Sequence, residues 1–386
     1  LGKICAIIIS QPTNPPPICE GSGTIEMEVK AVGWTLSYQW QENTGSSWND
    51  LNDGGVYSGT HTKKLTITNP PASMNGYQYR VKVTGGCGSP AISNSVTIAI
   101  DQLVLANAGT NQEVCGNSTS LAANNPAPGT GTWTKIAGDG NIVFDNTADS
   151  TTNVTTDIFG VYFLRWTIQN GTCSSFDDVV IDFNEDPGGL NAGNDQQLCG
   201  TLTTILNATP HSYQPGSDHS GSTRSWSQID GPGTITFTDP SDPSTTISAN
   251  LYGAYSLRWT ETNGNCTHSD DMEIWFDPRP SVLVHFDTIL CNQSYTNIKF
   301  DPDTLYSPRY SIRITWTVYD SSNAIIGYSD SPLNGIPISD SIYHQLFNPD
   351  TSVHSIVYVI TPWTTYSDNS LHCEGNKDSL RIFVNP

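Results

Sequence analysis

The chain contains the same β-hairpin sequence twice. Gly160–Trp166 reads GVYFLRW and Gly253–Trp259 reads GAYSLRW, and each is followed by an Asn-Gly pair and then by Cys173 or Cys266. Apolar residues alternate with other residues in both copies, which is the period-two pattern of a half-buried strand. Asn-Gly is a hairpin turn signal, because both residues tolerate positive φ. A hairpin copied within one chain predicts a tandem array of β domains.

The length of the chain predicts four such domains. It has 386 residues, and one immunoglobulin-like sandwich takes about 100. Only 14% of the residues are charged, and no amphipathic helix pattern is convincing. We therefore predict an all-β fold, with β-sandwich domains in series forming an extended rod. The expected boundaries are 1–10 for the last strand of a preceding domain, then 11–101, 102–185, 186–278 and 279–386 for four domains.

The two central domains align closely. Asn107-Ala-Gly matches Asn191-Ala-Gly, Cys115 matches Cys199 at an offset of 84, and Trp133 matches Trp226 at an offset of 93. The third domain therefore carries nine additional residues (93 − 84 = 9) within 211–224. That segment is polar and rich in glycine, which predicts a surface loop. A tolerated insertion is the simpler interpretation, and a ligand-binding loop is the alternative.

Nine cysteines predict a disulfide framework. No CxxC pair occurs, which argues against a zinc knuckle. Pairing neighbours gives one bridge for each domain: Cys19–Cys87, Cys115–Cys173, Cys199–Cys266 and Cys291–Cys373. Cys5 is left unpaired, with its partner expected upstream and a free buried thiol as the alternative. Disulfides at this density predict an extracellular or periplasmic location.

The charge balance excludes two classes of partner. The formal net charge is −21, whereas nucleic acid and anionic lipid both require a positive surface. No apolar run approaches the 18 residues or so that a membrane-spanning helix requires. We therefore expect neither nucleic-acid binding nor direct membrane insertion. The charge favours solubility and, as the sharper interpretation, cation binding between domains.

Several motifs resemble the repetitive cell-surface adhesins of Bacteroidota, which include the gliding-motility adhesins. The first domain is similar to their immunoglobulin-like module through Tyr38-Gln-Trp-Gln and Tyr77-Gln-Tyr-Arg. The central domains resemble their repeats with Asn-Ala-Gly, Cys-Gly and Gly-x-Tyr-x-Leu-Arg-Trp. The fourth resembles their PKD-like module through Tyr358-Val-Ile-Thr-Pro and Cys373-Glu-Gly. The resemblance implies export by the type IX system.

The same resemblance implies O-glycosylation at Asp-Ser/Thr followed by an apolar residue or Thr. Five sites fit this motif: Ser150, Thr288, Thr304, Ser341 and Ser379.

Enzymatic activity is not expected. The histidines are scattered, and neither a metal-binding HExxH nor a nucleophilic GxSxG motif is present. Asp177-Asp178 and Asp270-Asp271 are paired carboxylates, but both pairs lie near a strand start beside a cysteine. Turn capping and solvation explain them better than catalysis does.

Calcium is the one cofactor that the sequence suggests. Asp182, Asn184 and Asp186 lie at the junction of the second and third domains, with Asp195 just beyond. Oxygen ligands of this kind suit Ca²⁺, which would stiffen the junction. Pro187 occupies the position where an EF-hand loop needs glycine, so a solvated acidic linker is the alternative. Asp301 and Asp303 form a weaker candidate.

The leading interpretation is a segment of a large secreted adhesin that serves as a stalk and a multivalent attachment surface, in gliding motility or surface adhesion. Its partners would be an extracellular surface or polysaccharide, or the cell-surface motility machinery. The alternatives are a subunit of an extracellular filament or coat, and the non-catalytic stalk of a secreted enzyme. Carbohydrate binding would require exposed aromatic platforms, for which Trp48 and Trp363 are the candidates.

Overall fold

The computed structural model describes residues 4–286, 288–302, 311–365 and 370–386. Within these ranges the chain is all-β, apart from a single 3₁₀ turn at Ala72–Met74. No helix there has the length and apolar character needed to cross a membrane. The chain forms two compact units. The first comprises Leu1–Asp186, Tyr213–Gly221 and Asn263–Cys266, and the second comprises Pro187–Ser212, Ser222–Thr262 and Thr267–Pro386.

The described residues form four separate hydrophobic cores, and each lies within one of the expected sequence ranges apart from Ala6 in the first. We call the residues around them modules 1 to 4 (4–101, 102–185, 186–278 and 279–386). Each core is built on tryptophan, with Trp40 in module 1, Trp133 and Trp166 in module 2, Trp226 and Trp259 in module 3, and Trp316 in module 4. Buried indoles each remove a large apolar area from water, so they dominate the stability of small sandwiches.

Module 1 contains twelve strands in the described part of the chain. β5 lies between β9 and β6 in the larger sheet, β3 and β7 flank β8 in another, and β2 pairs with β12 in parallel. The strands are β1 (Ile7–Ser10), β2 (Ile18–Cys19), β3 (Thr24–Glu28), β4 (Lys30–Val32), β5 (Ser37–Asn43), β6 (Trp48–Asp50), β7 (Tyr57–Ser58), β8 (Lys64–Thr68), β9 (Gln78–Thr84), β10 (Ala91–Ile92), β11 (Val96–Thr97) and β12 (Ile100–Asp101).

Residues 4–10 belong to this module. We expected residues 1–10 to close a preceding domain, but β1 pairs with β4 of module 1, and Ala6 is part of the module 1 core. The alternation in β1 leaves Ile7 and Ile9 exposed.

Modules 2 and 3 share one topology of two facing sheets. The module 2 strands are β13 (Gln112–Cys115), β14 (Ser118–Ser120), β15 (Thr130–Ala137), β16 (Ile142–Phe144), β17 (Asn153–Thr156), β18 (Gly160–Asn170) and β19 (Cys173–Asn184). The module 3 strands are β20 (Gln196–Cys199), β21 (Thr203–Ile205), β22 (Thr223–Asp230), β23 (Ile235–Phe237), β24 (Thr246–Ala249), β25 (Gly253–Asn263) and β26 (Cys266–Asp277).

The copied hairpin is the central pair of strands in both modules. The sheet orders are β13-β19-β18-β15 and β14-β17-β16 in module 2, and β20-β26-β25-β22 and β21-β24-β23 in module 3. The first strand of each module runs parallel to its last, so Cys115 lies opposite Asn184 and Cys199 opposite Asp277. The short turn predicted from Asn-Gly joins β18 to β19 and β25 to β26.

Module 4 follows the same plan with longer connections. Its strands, in the part that the structure describes, are β27 (Val282–His285), β28 (Ile289–Leu290), β29 (Lys299–Pro302), β30 (Ser311–Asp320), β31 (Ile336–Pro337), β32 (His354–Thr365), β33 (Leu371–Glu374) and β34 (Asp378–Val384). The main sheet runs β28-β34-β32-β30-β31, with β33 on β32. The first strand of this sheet, β28, is again parallel to the last strand, β34.

Candidate functional site: disulfide-bridged junctions

Four disulfides connect the described cysteines, and three of them link consecutive modules. The bridges are Cys5–Cys87, Cys19–Cys173, Cys115–Cys266 and Cys199–Cys373, and Cys291 is an exposed free thiol. Their Cα–Cα distances of 4.8 to 5.6 Å suit disulfide geometry. Four bridges in one chain indicate an oxidising environment, outside the cytoplasm.

The predicted pairing of neighbouring cysteines is wrong. None of Cys19–Cys87, Cys115–Cys173, Cys199–Cys266 and Cys291–Cys373 forms, Cys5 is paired, and Cys291 is not.

The length of the last strand explains why. Cys173 begins β19, whereas Cys115 lies opposite Asn184 at the far end of the same strand. β19 has 12 residues. Its ends are therefore roughly 36 Å apart, while a disulfide needs Cα atoms within about 7 Å. Cys199 and Cys266 stand at opposite ends of module 3 in the same way.

Each bridged junction contains a polar residue at the end of the last strand. Asp101, Asn184 and Asp277 lie directly opposite the strand cysteines Cys19, Cys115 and Cys199. We call these three the junction residues, and we call Cys87, Cys173, Cys266 and Cys373 the hairpin cysteines. The backbone N–H of the residue after each strand cysteine donates to the carbonyl oxygen of the junction residue, at 2.8 to 3.0 Å.

At the first junction, Asp101 receives the tip of the β18–β19 hairpin. Its Oδ2 accepts hydrogen bonds from the backbone N–H of Thr172 at 2.6 Å and from the Thr172 hydroxyl at 2.9 Å. Asn170 Nδ2 donates to the Gln102 carbonyl oxygen at 2.8 Å. The Cys173 sulfur lies 3.2 Å from the carbonyl oxygen of Asp101. The tip is therefore held by polar contacts on both sides of the bridge.

The second junction, which belongs to the first unit, repeats this arrangement. Asn263 occupies the position of Asn170, and its Nδ2 donates to the Glu185 carbonyl oxygen at 3.1 Å. Asn265 Nδ2 donates to the carbonyl oxygen of Glu113 at 2.8 Å. The Cys266 sulfur lies 3.4 Å from the Asn184 carbonyl oxygen. In both copies of the Asn-Gly turn, the asparagine amide therefore donates to the backbone carbonyl oxygen of the residue that follows the junction residue.

The third junction lies in the second unit and uses a buried carboxylate. Asp277 is fully buried, and its Oδ2 accepts a hydrogen bond from Gln197 Nε2 at 3.0 Å. His372, which immediately precedes the hairpin cysteine, places Nε2 3.8 Å from the same oxygen. Cys199, His372 and Cys373 are the one described group of three metal-type side chains close together. Both sulfurs are in the disulfide, so they are not thiolate ligands.

The nine-residue insertion of module 3 contacts module 2. Its residues 213–221 belong to the first unit. The Gln214 backbone N–H donates to the Glu185 carboxylate at 2.9 Å, and the Asp218 N–H donates to the carbonyl oxygen of Phe159. Ser217 is buried and accepts the Phe159 N–H at 3.3 Å. The segment therefore contacts module 2 within this unit through Ser217, while most of its residues are exposed, as expected for the predicted surface loop.

The three aspartates proposed as calcium ligands, Asp182, Asp186 and Asp195, do not form one ligand group among the described residues. Asp195 accepts the Glu273 backbone N–H at 2.8 Å, which is the function of Asn111 in module 2. Asn184 directs its amide nitrogen toward Glu113 at 3.3 Å. Burial, with the nearby carboxylates of Glu113 and Asp218, raises the pKa of Asp182. Asp186 interacts with another residue. Asp303, which belongs to the weaker calcium candidate, lies outside the described residues.

The paired aspartates lie within strands and not at turns. Asp177 accepts the Ala108 N–H and Asp270 accepts the Ala192 N–H, both at 2.8 Å, so they hold the two Asn-Ala-Gly segments. The second aspartate of each pair forms a two-bond ion pair across the hairpin, Asp178 with Arg165 and Asp271 with Arg258. These bonds lower the pKa of Asp178 and of Asp271. All four carboxylates therefore have structural functions.

The glycosylation motifs differ in accessibility. Thr288 and Ser379 are exposed, Ser150 and Ser341 are half-buried, and Thr304 lies outside the described residues.

The two candidate aromatic platforms are half covered. The Arg80 guanidinium lies over Trp48, 4.1 Å from the ring centroid, and Trp363 donates to the Thr315 hydroxyl at 2.9 Å. Trp34 is more exposed, at 56%, and the sequence pattern did not identify it.

Comparison with known proteins yields likenesses of fold. No protein-family model matches the chain, and no curated protein matches its sequence. A three-domain I-band fragment of titin is 12% identical and covers 71% of this chain and 99% of its own, with a TM-score of 0.42. The N-terminal four Ig domains of a Dscam1 isoform are 13% identical and cover 100% of both chains, with a TM-score of 0.25.

Extracellular domains 3–5 of Drosophila OTK are 11% identical and cover 70% of this chain and 97% of their own, with a TM-score of 0.34. The titin and Dscam1 structures are tandem Ig-domain arrays. The strand order and the four cores make this chain an all-β tandem array of immunoglobulin-like sandwiches with disulfides between consecutive modules.

Proposed function

We propose that the chain is a stalk segment of a secreted, repetitive cell-surface adhesin. The observation that carries the proposal is the disulfide pattern, in which Cys19–Cys173, Cys115–Cys266 and Cys199–Cys373 link successive modules. A disulfide that only stabilises one module can lie within that module. Bridges between modules instead make the array continuous, which suits a protein that is pulled along its length.

The pattern sharply limits how far the chain can be extended. The shortest covalent path runs from Leu1 to Cys19, crosses to Cys173, continues to Cys199, crosses to Cys373 and ends at Pro386. It contains 18 + 26 + 13 = 57 peptide steps. At about 3.6 Å per step, the oxidised chain reaches roughly 200 Å, against roughly 1,400 Å for all 385 steps after reduction.

Single-molecule pulling tests this mechanical function. We expect the oxidised chain to extend to roughly 200 Å without further unfolding events, and the reduced chain to show stepwise gains toward roughly 1,400 Å. The matched control is the Cys291→Ser variant, which removes a cysteine without removing a bridge. Equal contour lengths for oxidised and reduced chains would overturn the proposal of a covalently limited stalk.

Attachment to the cell surface requires a separate experiment on cells. Beads coated with antibody against this segment are added to live cells of the source organism. Beads that bind and travel along the cell support a mobile adhesin of the gliding type. Beads that bind and stay still favour the filament or coat alternative. Antigen found only in the medium overturns the adhesin and favours a released protein, such as the stalk of a secreted enzyme.

The finer features of the proposal come from sequence resemblance. They are type IX export, a PKD-like fourth module and O-glycosylation. Among the glycosylation motifs, the exposed Thr288 and Ser379 are the sites that a modifying enzyme reaches most readily. The intact mass of the protein isolated from its source tests the O-glycosylation, since each glycan adds a defined mass. A mass equal to that of the unmodified polypeptide would overturn it.

A further inference from the structure

Module 4 contains the first half of a fourth junction. In modules 1 to 3 the strand cysteine follows an aliphatic residue on a strand that runs parallel to the last strand. Module 4 has Leu290 and Cys291 at the same place, since β28 runs parallel to β34 with Leu290 opposite Val384. The next pair in this register is Cys291 and Asn385. The Asn385 N–H donates to the Leu290 carbonyl oxygen at 2.9 Å, which holds this end in place.

Asn385 is thus in the position of the junction residues. Asparagine already has that function at Asn184, and Asp101 and Asp277 are its acidic counterparts. Cys291 differs from the other three strand cysteines in one respect: it is exposed and unpaired, whereas they are bonded to the hairpin cysteine of the following module.

We propose that this end of module 4 is a covalent docking site for one further immunoglobulin-like module, which presents a hairpin cysteine to Cys291 and packs its hairpin tip on Asn385. The four hairpin cysteines of this chain, Cys87, Cys173, Cys266 and Cys373, are all bonded already. The partner is therefore a module outside these 386 residues. The first two junctions define its chemistry, a tight turn with a polar side chain and then cysteine.

Bond formation at this site is an ordinary oxidation. Two thiols lose two protons and two electrons to form one disulfide. A small-molecule disulfide such as oxidised glutathione accepts them by thiol–disulfide exchange and leaves as two reduced thiols. Docking places the two sulfurs together, so the effective concentration of the partner thiol is high, on the order of millimolar for a tethered module.

The test extends the full chain by one module. Residues 103–185 are appended directly after Pro386, with Cys115→Ser in the added copy, so that Pro386 stands in the place of Gln102. The added hairpin cysteine then follows Asn385 by 72 residues, the separation of Cys173 from Asp101 (173 − 101 = 72). After refolding in a glutathione redox buffer, non-reducing peptide mapping should join Cys291 to the added cysteine. The native free-thiol titre should fall from one per chain toward zero.

Two controls keep the outcome decisive. An extended chain with Cys173→Ser in the added copy should retain the free thiol of Cys291. A second extension with residues 186–278, carrying Cys199→Ser, tests a different module whose hairpin cysteine copies Cys266. Protection of the added module from proteolysis reports that it has folded. If either added module folds while its hairpin cysteine stays free and the four native bridges are intact, the proposal is wrong.

Discussion

Gly171 lies so close to Asp101 that a Cβ atom on this glycine would be 2.2 Å from the Asp101 carboxylate oxygen Oδ2. Gly171 also has a φ of +55°, where side chains are disfavoured. Module 3 repeats the relationship, because a Cβ on Gly264, also at φ +55°, would be 2.2 Å from Asn184 Nδ2. The glycine of the Asn-Gly turn is therefore required both by its own backbone and by the junction residue on which it packs.

Replacing Gly171 with alanine should weaken the first junction. The left-handed conformation costs a side chain about 1 to 2 kcal/mol, and the close contact displaces the Asp101 carboxylate in addition. We expect Gly171→Ala to lower the free energy of unfolding by more than that range, and to shift the Cys19–Cys173 bridge toward its reduced form in glutathione buffers. Urea unfolding and quantitative peptide mapping measure the two effects.

Gly21→Ala is the matched control for this prediction. Gly21 has a φ of +62°, and a Cβ there meets no atom within 4 Å. It should therefore show the backbone cost alone, about 1 to 2 kcal/mol, with an unchanged redox equilibrium. If both variants lose the same free energy of unfolding, the contact between residue 171 and Asp101 does not contribute to the effect of Gly171→Ala.

Asp101 should tolerate asparagine better than alanine. Asp101→Ala removes the acceptor of the Thr172 N–H and hydroxyl. Because these groups are exposed, we expect a loss of about 1 to 2 kcal/mol in the free energy of unfolding. Asp101→Asn keeps one oxygen acceptor and should lose less than half of that. Urea unfolding of both variants side by side measures the difference, and an equal loss in both would contradict the assignment.

Module 4 should lose stability in mild acid through His344. Its Nδ1 lies 2.7 Å from the Tyr358 hydroxyl, and burial lowers the pKa of His344. Because the folded state favours the neutral ring, this stabilisation is complete above the unfolded pKa of about 6.5 and is lost as pH falls through the lower folded value. Hydrogen exchange in urea, followed on peptides covering Ser311–Asp320, should show a lower midpoint at pH 5 than at pH 7.5.

His344→Gln provides the comparison, since glutamine does not titrate. The pH-dependent change of the midpoint should be smaller in this variant than in the parent. An identical pH dependence in the variant and the parent would rule out His344 as its source.

Calcium should have little effect on stability, because the acidic residues proposed as ligands are not gathered together. We expect millimolar Ca²⁺, or its removal with a chelator, to shift thermal unfolding by less than about 1 °C. Binding at 100 times the dissociation constant would add about 2.7 kcal/mol and shift unfolding by several degrees. Asp195→Asn should behave like the parent, because asparagine can also accept the Glu273 N–H. A large calcium-dependent shift that Asp195→Asn abolishes would show that the site exists.

Local sequence was sufficient to predict the two repeated hairpins. Alternating residues such as Tyr162, Leu164 and Trp166 are buried along β18, and the Asn-Gly turn joins it to β19 as its composition indicates. Both features depend on residues within about ten positions of one another. The class of fold follows from them, because a copied hairpin with one apolar face needs a second sheet to cover it.

The disulfide pairing depended on distances that local sequence does not contain. Strand and hairpin cysteines alternate along the chain, so pairing within a module and pairing with the next module fit the same spacing. What distinguishes the two is the length of β19 and its parallel register with β13, which place Cys115 and Cys173 at opposite ends of one module. The insertion at 211–224 is mostly exposed, as its polar composition predicted, but composition does not reveal that Ser217 is buried and accepts the Phe159 N–H.

The staggered bridges also change what a single cut in the backbone would do. The loops closed by Cys5–Cys87, Cys19–Cys173, Cys115–Cys266 and Cys199–Cys373 overlap in succession, so every peptide bond from Cys5 to Cys373 lies inside at least one closed ring. A protease that nicks the chain once anywhere in that span leaves both fragments covalently attached. Bridges confined to single modules would have left each linker as a place where one nick releases everything beyond it. In this array, severance requires two or more cuts or a reductant.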